Sequence, residues 1–213
     1  MDLFPNSNNH HKWSWISDLD DPWVIFSEKF DNSLQKMILR AISDETTDCK
    51  DLSGVDASNG PIFVHPSVKI SNSVRMEGPI YIEEGVEIRH CAYLRPWTYI
   101  SSGCVVGHSS EIKNTLMLPG SKAPHFNYVG DSILGFAVNI GAGVKISNVR
   151  LDGKTIAIQC PDGTKVDSGL RKLGAMIGDH TQIGCNVVTN PGAVLPPASG
   201  VPPNSVVTGY WGL

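Results

Sequence analysis

The chain has 213 residues, of which 41% are hydrophobic, and a net charge of −4. This length and composition are typical of a globular protein with a sizeable core. Nucleic-acid binding requires a concentrated basic surface, and no block of like charges provides one. No apolar run approaches the roughly eighteen residues of a membrane-spanning helix. We therefore expect a small-molecule ligand, with neither nucleic acid nor a membrane as partner.

The cysteines are odd in number and scattered, and no charged-then-apolar signal segment precedes them. These features predict reduced thiols and a cytoplasmic protein. The five are Cys49, Cys91, Cys104, Cys160 and Cys185.

Residues 1–60 form a predicted N-terminal segment with tryptophans and a helix start signal, "DDPW". Asp21 is suited to cap a helix that has Pro22 at its first position and runs to about Ile42. The stretch "SDETTDCKDLSGVDASNG" that follows is typical of a linker.

Residues 61–213 are dominated by a six-residue repeat of aliphatic residues, which fits neither a helix nor an alternating hairpin and predicts a parallel β-helix. Four residues after most repeat positions comes a second small or aliphatic residue, so each hexad supplies two inward positions. The first run is Val64, Ile70, Met76, Ile82, Ile88, Leu94, Ile100, Val106, Ile112 and Leu118. The repeat returns as Leu134, Ile140 and Ile146, and again as Ile177, Ile183, Thr189, Leu195, Val201 and Val207.

Two irregularities interrupt this repeat. Leu118 and Leu134 are sixteen residues apart rather than eighteen, which predicts a loop leaving the coil around His125. Residues 147–175 fall outside the repeat, and there "TIAIQ" and "TKVDSG" flank the turn "CPDG". This second stretch predicts a hairpin that projects from the coil.

Several motifs are more selective than the repeat: "LRPWTYI", "SSEIKN", "GSKAPHFNYVGDSILG", "VNIGAG" and "IGDHTQIGCN". Through them the chain resembles the left-handed β-helix hexapeptide acyltransferases, and among these the acetyltransferase domain of the bifunctional N-acetylglucosamine-1-phosphate uridyltransferase. The resemblance implies an all-β fold, a left-handed parallel β-helix, and a homotrimer with active sites between neighbouring subunits. It also implies N-acetylation of an amino-sugar phosphate such as glucosamine 1-phosphate for cell-envelope precursors, with acetyl-CoA as a noncovalent co-substrate and no metal.

The same resemblance implies roles for individual residues. His125 would be the base that takes the proton of the amine, a task that suits an imidazole titrating near neutrality. Glu111 would orient that imidazole, and the backbone N–H of Ala142 would face the thioester, where a donor stabilises a developing oxyanion. Cys185 stands where the family has a serine near the coenzyme. The sugar-binding residues implied are Tyr128, Asn139, Asn148 and Lys154.

Arg95 and Lys113 each follow a repeat residue directly and are one eighteen-residue coil apart. Two stacked cations are unfavourable unless an anion joins them, and an arginine with a lysine suits a phosphate. The resemblance places the sugar phosphate at these positions. The alternative is an ordinary surface pair between Arg95 and Glu77, one coil below.

Other residues also have structural alternatives. Tyr128 is able to brace its loop, Asn139 to join a stacked asparagine ladder, and His125 to be an ordinary surface residue. His90 and His108, one coil apart, suggest a metal site, but Asn72 occupies the coil below and no third ligand stacks with them. We expect no metal.

The chain departs from the family in four places. It has no Gly-rich nucleotide-binding domain, so we expect no nucleotidyl transfer. The family's "CNYDG" appears as "SNVRLDG", with Val149 in place of the tyrosine and two residues inserted before the aspartate, which affects the assignment of Lys154. The hairpin is additional, and the basic C-terminal tail is replaced by "PPNSVVTGYWGL". Two other functions therefore remain open: a regulatory sugar-phosphate-binding protein that partners a separate nucleotidyltransferase, and an O-acetyltransferase.

Overall fold

The computed structural model of the protein describes residues 1–44 and 54–212, so residues 45–53 of the predicted linker lie outside it. Within residues 1–44 four short helices form the N-terminal segment, and a long coil of short parallel strands follows from residue 55. Among the described helices, none is long and apolar enough to cross a membrane.

The coil is a left-handed parallel β-helix with three flat sides, as predicted. Each turn contributes one strand to each side, and equivalent strands of successive turns pair in parallel. Face A consists of Val55–Asp56, Arg75–Glu77, Tyr93–Leu94, Glu111–Lys113, Tyr128–Gly130, Lys145–Ile146, Val188–Thr189 and Val206–Val207. Face B consists of Ile62–Val64, Ile80–Ile82, Thr98–Ile100, Leu116–Met117, Ile133–Leu134, Ala175–Ile177 and Ala193–Leu195. Face C consists of Lys69–Ile70, Glu87–Ile88, Val105–His108, Lys122–His125, Asn139–Ile140, Gln182–Ile183 and Gly200–Val201.

The six-residue repeat marks the interior of the coil. Side chains alternate along a strand. On face A the central repeat residue of a strand such as Arg75–Glu77 points inward and its neighbours point out, whereas on face B the two end residues of a strand such as Ile62–Val64 point inward and the central one points out. The inward residues stack into one continuous apolar core that runs the length of the coil. The first strand, Val55–Asp56, already pairs with face A, so the ladder begins before the predicted domain boundary at residue 61.

The predicted loop around His125 is wrong. The chain stays in the coil there, and His125 ends a strand of face C. What changes is the length of the turn: Ile100 pairs with Met117, and Met117 with Leu134, so both steps are seventeen residues rather than eighteen. Met117 and not Leu118 therefore occupies the inward position, and Leu118 packs outside the coil.

The N-terminal segment covers face B. Outward aromatic rings of that face stack at 4.8 Å between Phe63 and Tyr81 and at 4.9 Å between Tyr81 and Tyr99. The buried Trp13 meets the ring of Tyr99 edge-on at 5.2 Å. Glu83, which is 7% exposed, accepts hydrogen bonds from Lys12 and from the Tyr99 hydroxyl at 2.7 Å. These contacts form a second apolar core outside the coil.

The predicted helix from Asp21 to Ile42 is wrong in extent. Pro22 begins a short 3-10 helix, Pro22–Phe26, and the α-helix is confined to Leu34–Ser43. Ser33 caps that helix by accepting a hydrogen bond from the backbone N–H of Lys36, whereas the Asp21 side chain makes no cap. The sequence between them, "SEKFDNS", is rich in turn-forming residues, which explains the break. The segment also contains the helices Pro5–Asn9 and Ser14–Ser17.

The predicted hairpin is present. Ala157–Gln159 and Lys165–Asp167 pair antiparallel around the turn "CPDG". The hairpin rests on the coil through Ile156 and Ile158, which are at most 1% exposed. Gly192 has a φ of +77° and no space for a side chain, because a Cβ there would lie 2.6 Å from Ile156.

Candidate functional site

The predicted site residues concentrate on face A and on the corner where face C turns into face A. On face A, outward side chains form two columns that flank the inward residue. One column includes Tyr93, Glu111, Tyr128 and Lys145, which are neighbours in successive turns. The same register gives a second column of Arg95, Lys113, Gly130 and Ser147.

Arg95 and Lys113 stack as predicted, but each has its own carboxylate. Arg95 Nη1 lies 2.8 Å from Glu111 Oε1, and this hydrogen bond raises the pKa of Arg95. Glu77 is engaged elsewhere, since it accepts from Arg75 at 3.3 Å and from the Tyr93 hydroxyl at 2.9 Å. The alternative pairing of Arg95 with Glu77 is therefore not the one adopted.

Asp131 is the centre of a buried polar network beside Lys113. It is 3% exposed and accepts from Lys113 Nζ at 3.3 Å, from Asn114 Nδ2 at 2.7 Å and from the side-chain amide of Asn148. The three hydrogen bonds replace those that the carboxylate would make with water, so its burial is compensated. The sequence analysis did not select Asp131, although it lies in the quoted motif "GSKAPHFNYVGDSILG".

Tyr128 and Asn148 are held together by the same network. Asn148 Nδ2 donates to the Tyr128 hydroxyl at 3.2 Å, and burial, followed by the nearby Asp131 charge, raises the pKa of Tyr128. Gly130 is required beneath them, because a Cβ there would lie 2.7 Å from the Tyr128 hydroxyl oxygen. The network therefore fixes the orientation of two of the four predicted sugar ligands.

His125 lies exposed at the corner between faces C and A. Its backbone N–H donates to Asn127 Oδ1 at 3.0 Å, and the buried Asn127 bonds the Gly141 carbonyl at 2.7 Å in the next turn. Asn127, another residue that sequence reasoning missed, thus anchors the backbone beside His125. Among the described residues no hydrogen bond reaches the His125 ring, and the carboxylate of Glu111 is bonded to Arg95. The predicted orientation of His125 by Glu111 is not formed within one chain.

The histidine column is longer than predicted. His90 and His108 stack with ring centroids 4.2 Å apart, and His125 is in register with His108 as the third member. The assumption of a constant eighteen-residue turn hid this, because His125 follows His108 by seventeen residues. No group of three or more potential metal ligands is arranged to hold an ion within residues 1–44 and 54–212.

Ala142 and Cys185 continue this corner above His125. The N–H of Gly143 donates to the His125 carbonyl at 3.1 Å, and the N–H of Asn186 donates to the Ala142 carbonyl at 2.8 Å. The N–H of Ala142 itself donates to no other group in the described part of the chain. Cys185 is exposed.

Phe126, next to His125, is 52% exposed and was not selected from the sequence. Its ring lies over Gly143, where a Cβ would come within 3.1 Å of Phe126 Cε2. The corner therefore presents the Phe126 ring, the His125 imidazole and the backbone N–H of Ala142, which has no acceptor among the described residues.

The remaining two predicted ligands lie apart from this corner. Asn139 is on face C between Lys122 and Gln182, so it does not belong to an asparagine ladder. Lys154 is exposed, beyond the insertion, and its backbone N–H donates to Asp152 at 3.2 Å.

The model of one protein family, described as the GMPPB C-terminal domain, matches residues 76–199, which is more than half of the chain. A bifunctional sugar-1-phosphate nucleotidylyltransferase/acetyltransferase from Sulfurisphaera tokodaii is 42% identical over 99 residues, covering 46% of this chain and 24% of the relative. The bifunctional protein GlmU of Methanococcus maripaludis strain C7 is 44% identical over 85 residues, covering 40% of this chain and 20% of the relative.

A hexapeptide transferase family protein from Anaplasma phagocytophilum is a solved structure with 15% identity and a TM-score of 0.36, covering 70% of this chain and 74% of that one. The matched region spans about a quarter or less of the length of the two curated relatives. The family match, over residues 76–199, includes the corner and both columns of face A.

Proposed function

We propose that this chain, which belongs to the GMPPB C-terminal domain family, transfers an acetyl group from acetyl-CoA to the amine of an amino-sugar phosphate such as glucosamine 1-phosphate. The observation that carries the proposal is the corner itself: an exposed imidazole, a free backbone N–H one turn above it, and a rigid polar network one step along face A. The names of the curated relatives, which include an acetyltransferase, support the same reaction type.

In this mechanism His125 accepts the proton that the amine releases as its nitrogen attacks the thioester carbonyl. The N–H of Ala142 donates to the carbonyl oxygen as negative charge develops on it. The carbon–sulfur bond then breaks, and the thiolate of the coenzyme takes up a proton. Tyr128 and Asn148 hold the sugar ring, because their orientation is already set by Asp131.

The phosphate is assigned to Arg95 and Lys113. Arg95 pairs with Glu111, and both side chains are about one-third exposed, so the guanidinium retains donors that face solvent. Lys113 is more buried and tied to Asp131, which makes Arg95 the stronger of the two phosphate ligands. A phosphate bound to Arg95 would compete with Glu111 for the guanidinium. The Glu111 carboxylate would then be free to rotate.

The site is completed by neighbouring subunits of a homotrimer in this proposal. Face B is covered by the N-terminal segment, so faces A and C and the corner between them are the surfaces left for subunit contacts. The His125 ring has no partner within the described part of its own chain, and a neighbouring subunit is the available source of one. Sedimentation at micromolar concentration should give a species three times the 23.0 kDa chain mass, and a purely monomeric species would contradict this model.

The test is to mix the protein with acetyl-CoA and a panel of amino-sugar phosphates and to follow thiol release. The panel includes hydroxyl acceptors, so that O-acetylation is measured in the same assay. His125→Ala should abolish most of the activity, whereas the matched variant His65→Ala, on an exposed loop with Ser67, should leave it unchanged. Thiol release that persists in His125→Ala would remove the assignment of the base.

The ion pairs favour a second candidate function. Arg95 and Lys113 already have carboxylate partners, so their side chains are held in place without a substrate. A regulatory or structural domain that binds a sugar phosphate without acetyl transfer would have this arrangement. Binding of glucosamine 1-phosphate with no thiol release from acetyl-CoA for any acceptor would favour this role.

A further inference from the structure

The corner between faces C and A has a series of residues in the left-handed backbone region, in equivalent positions of successive turns. The backbone N–H of each donates to a carbonyl of the preceding turn: Ser109 to His90, Phe126 to His108, Gly143 to His125, Asn186 to Ala142 and Asn204 to Cys185. Cys91 has the equivalent position one turn before Ser109. We call these residues the corner column, and their φ angles range from +36° to +72°.

Phe126 is the one residue of the corner column with a large side chain. The other members, with φ angles of +52° to +72°, are Cys91, Ser109, Gly143, Asn186 and Asn204. Glycine adopts this backbone region freely and asparagine tolerates it, whereas a bulky residue is strained there. Phe126 also has the smallest φ of the column, +36°. Strained backbone of this kind is concentrated at functional positions, so Phe126 is a candidate for a functional role.

Packing does not explain a phenylalanine at this position. The ring is 52% exposed and belongs to neither apolar core of the described chain. A ring that is half in water gains only part of the free energy that burial of an aromatic side chain provides. A serine or asparagine, as in other turns of the column, would relieve both the backbone strain and the exposed apolar surface.

The ring lies on the coenzyme side of the corner. It is placed over Gly143, where a Cβ would come within 3.1 Å of Phe126 Cε2 and 2.6 Å of Asn186 Oδ1. Gly143 directly follows Ala142, whose backbone N–H is assigned to the thioester oxygen in the proposed function. The ring therefore borders the position at which the carbonyl of the donor would bind.

The acceptor sugar is the other ligand of this region, but its ligands lie on face A. Tyr128 projects from that face in the column of Glu111 and Lys145, and Asn148 donates to its hydroxyl at 3.2 Å. Phe126 instead belongs to the corner column, between the turns of His108 and Ala142. The ring is therefore assigned to the donor and not to the sugar.

We propose that Phe126 restricts the acyl group of the donor thioester to two carbons, because its ring fills the space into which a longer chain would extend. This inference rests on the proposed function and deepens it by naming the residue that selects the donor. One methylene too many in an apolar pocket changes kcat/KM by a factor of about 10–200. Acetyl-CoA is then preferred over propionyl-CoA and butyryl-CoA.

The experiment compares kcat/KM for acetyl-CoA, propionyl-CoA and butyryl-CoA with the best acceptor. The parent should prefer acetyl-CoA over propionyl-CoA by about tenfold or more. Phe126→Asn, the residue type of two other turns, should reduce the preference over butyryl-CoA at least about tenfold by raising kcat/KM for the longer donor. Phe126→Leu should lie between the two. The matched control is Leu39→Ala, since Leu39 is 44% exposed on the N-terminal segment, and it should leave the preference unchanged.

Two further measurements separate this role from a structural one. The melting temperature of Phe126→Asn should be equal to that of the parent or higher, because asparagine tolerates the left-handed backbone. Sedimentation should give the same species for both proteins. A lower melting temperature or a smaller species would mean that the ring holds the fold or a subunit contact, and would overturn the inference.

Calorimetry tests the donor site without turnover. The parent should bind butyryl-CoA more weakly than acetyl-CoA, and Phe126→Asn should bind the two equally. Acyl-CoAs that do not bind, a preference that neither Phe126 variant changes, or a change confined to the KM of the acceptor would overturn the inference. Acetyl transfer with an unchanged acyl preference would remove the inference and leave the proposed function standing. The expected change in binding, without thiol release for any acceptor, would do the reverse.

Discussion

Face B and the corner between faces C and A are built from the same repeat, yet one is closed and the other is open. The outward positions of face B carry Phe63, Tyr81 and Tyr99, and the N-terminal segment buries them. At the corner the outward positions carry imidazoles, and on the adjoining face A they carry charged and hydroxyl groups. The inward residues make the coil, and the outward residues decide what each side does. This comparison predicts that changes at the corner alter catalysis, whereas changes at face B alter stability.

The largest effect is expected at the corner. His125→Ala should lower kcat by about 10²–10⁴, since that is the usual contribution of general-base catalysis. The melting temperature should stay unchanged, because the ring is exposed and bonds no other described residue. Steady-state kinetics with acetyl-CoA and the best acceptor measure kcat for the parent and the variant. His108→Ala serves as control in the same column, and equal losses in both variants would point to a structural role for the histidines.

At face B the effect should be on stability. Trp13→Ala removes a side chain that is 1% exposed and should destabilise the fold by about 3–5 kcal/mol. The neighbouring Trp15 is half-buried, so Trp15→Ala should cost less. Denaturant unfolding measures both, and kcat should remain at the parental value below the transition. A Trp13 variant of unchanged stability would mean that the N-terminal segment does not hold face B closed.

A smaller effect separates Arg95 from an ordinary surface ion pair. Arg95→Ala should reduce kcat/KM for the phosphorylated acceptor by about ten- to a hundredfold, because a charged hydrogen bond to the phosphate is lost. The unphosphorylated sugar should be a poor substrate for the parent, and the variant should hardly discriminate between the two. The measurement is the ratio of the two kcat/KM values, for Arg95→Ala and for Lys113→Ala. A ratio that neither substitution changes would remove phosphate from this column.

The last prediction compares the interior with the corner through cysteine reactivity. Cys104 is fully buried inside the coil, and burial raises the pKa of its thiol to about 12. At pH 8 it should therefore resist alkylation in the native protein, while the exposed Cys91 and Cys185 react. Mass spectrometry after brief alkylation locates the label. Labelling of Cys104 at the rate of Cys91 would mean that the coil opens locally.

Much of this architecture follows from the repeat alone. Aliphatic residues at every sixth position have one arrangement that buries them all, and the inward residues of the coil are those the repeat selects, from Val64 to Ile112 and again from Leu134 to Val207. The hairpin could be predicted from its turn, since "CPDG" has the residues that a tight reversal requires. The prediction of inward residues failed where the spacing between turns changed. Leu118 and Met117 are both apolar, so the pattern could not show that the turn had shortened by one residue before Met117.

The sequence by itself determined the coil, because the coil depends on residue type and on a local period, whereas His125 was selected through the resemblance of the motif around it. Only the tertiary structure decided which side chains meet across turns. The pairing of Arg95 with Glu111, the burial of Asp131 among three donors and the alignment of His125 with His108 all depend on the register between turns of unequal length. A shift of one residue moves a side chain to another column, so the contacts of the site follow from the ladder and not from the period.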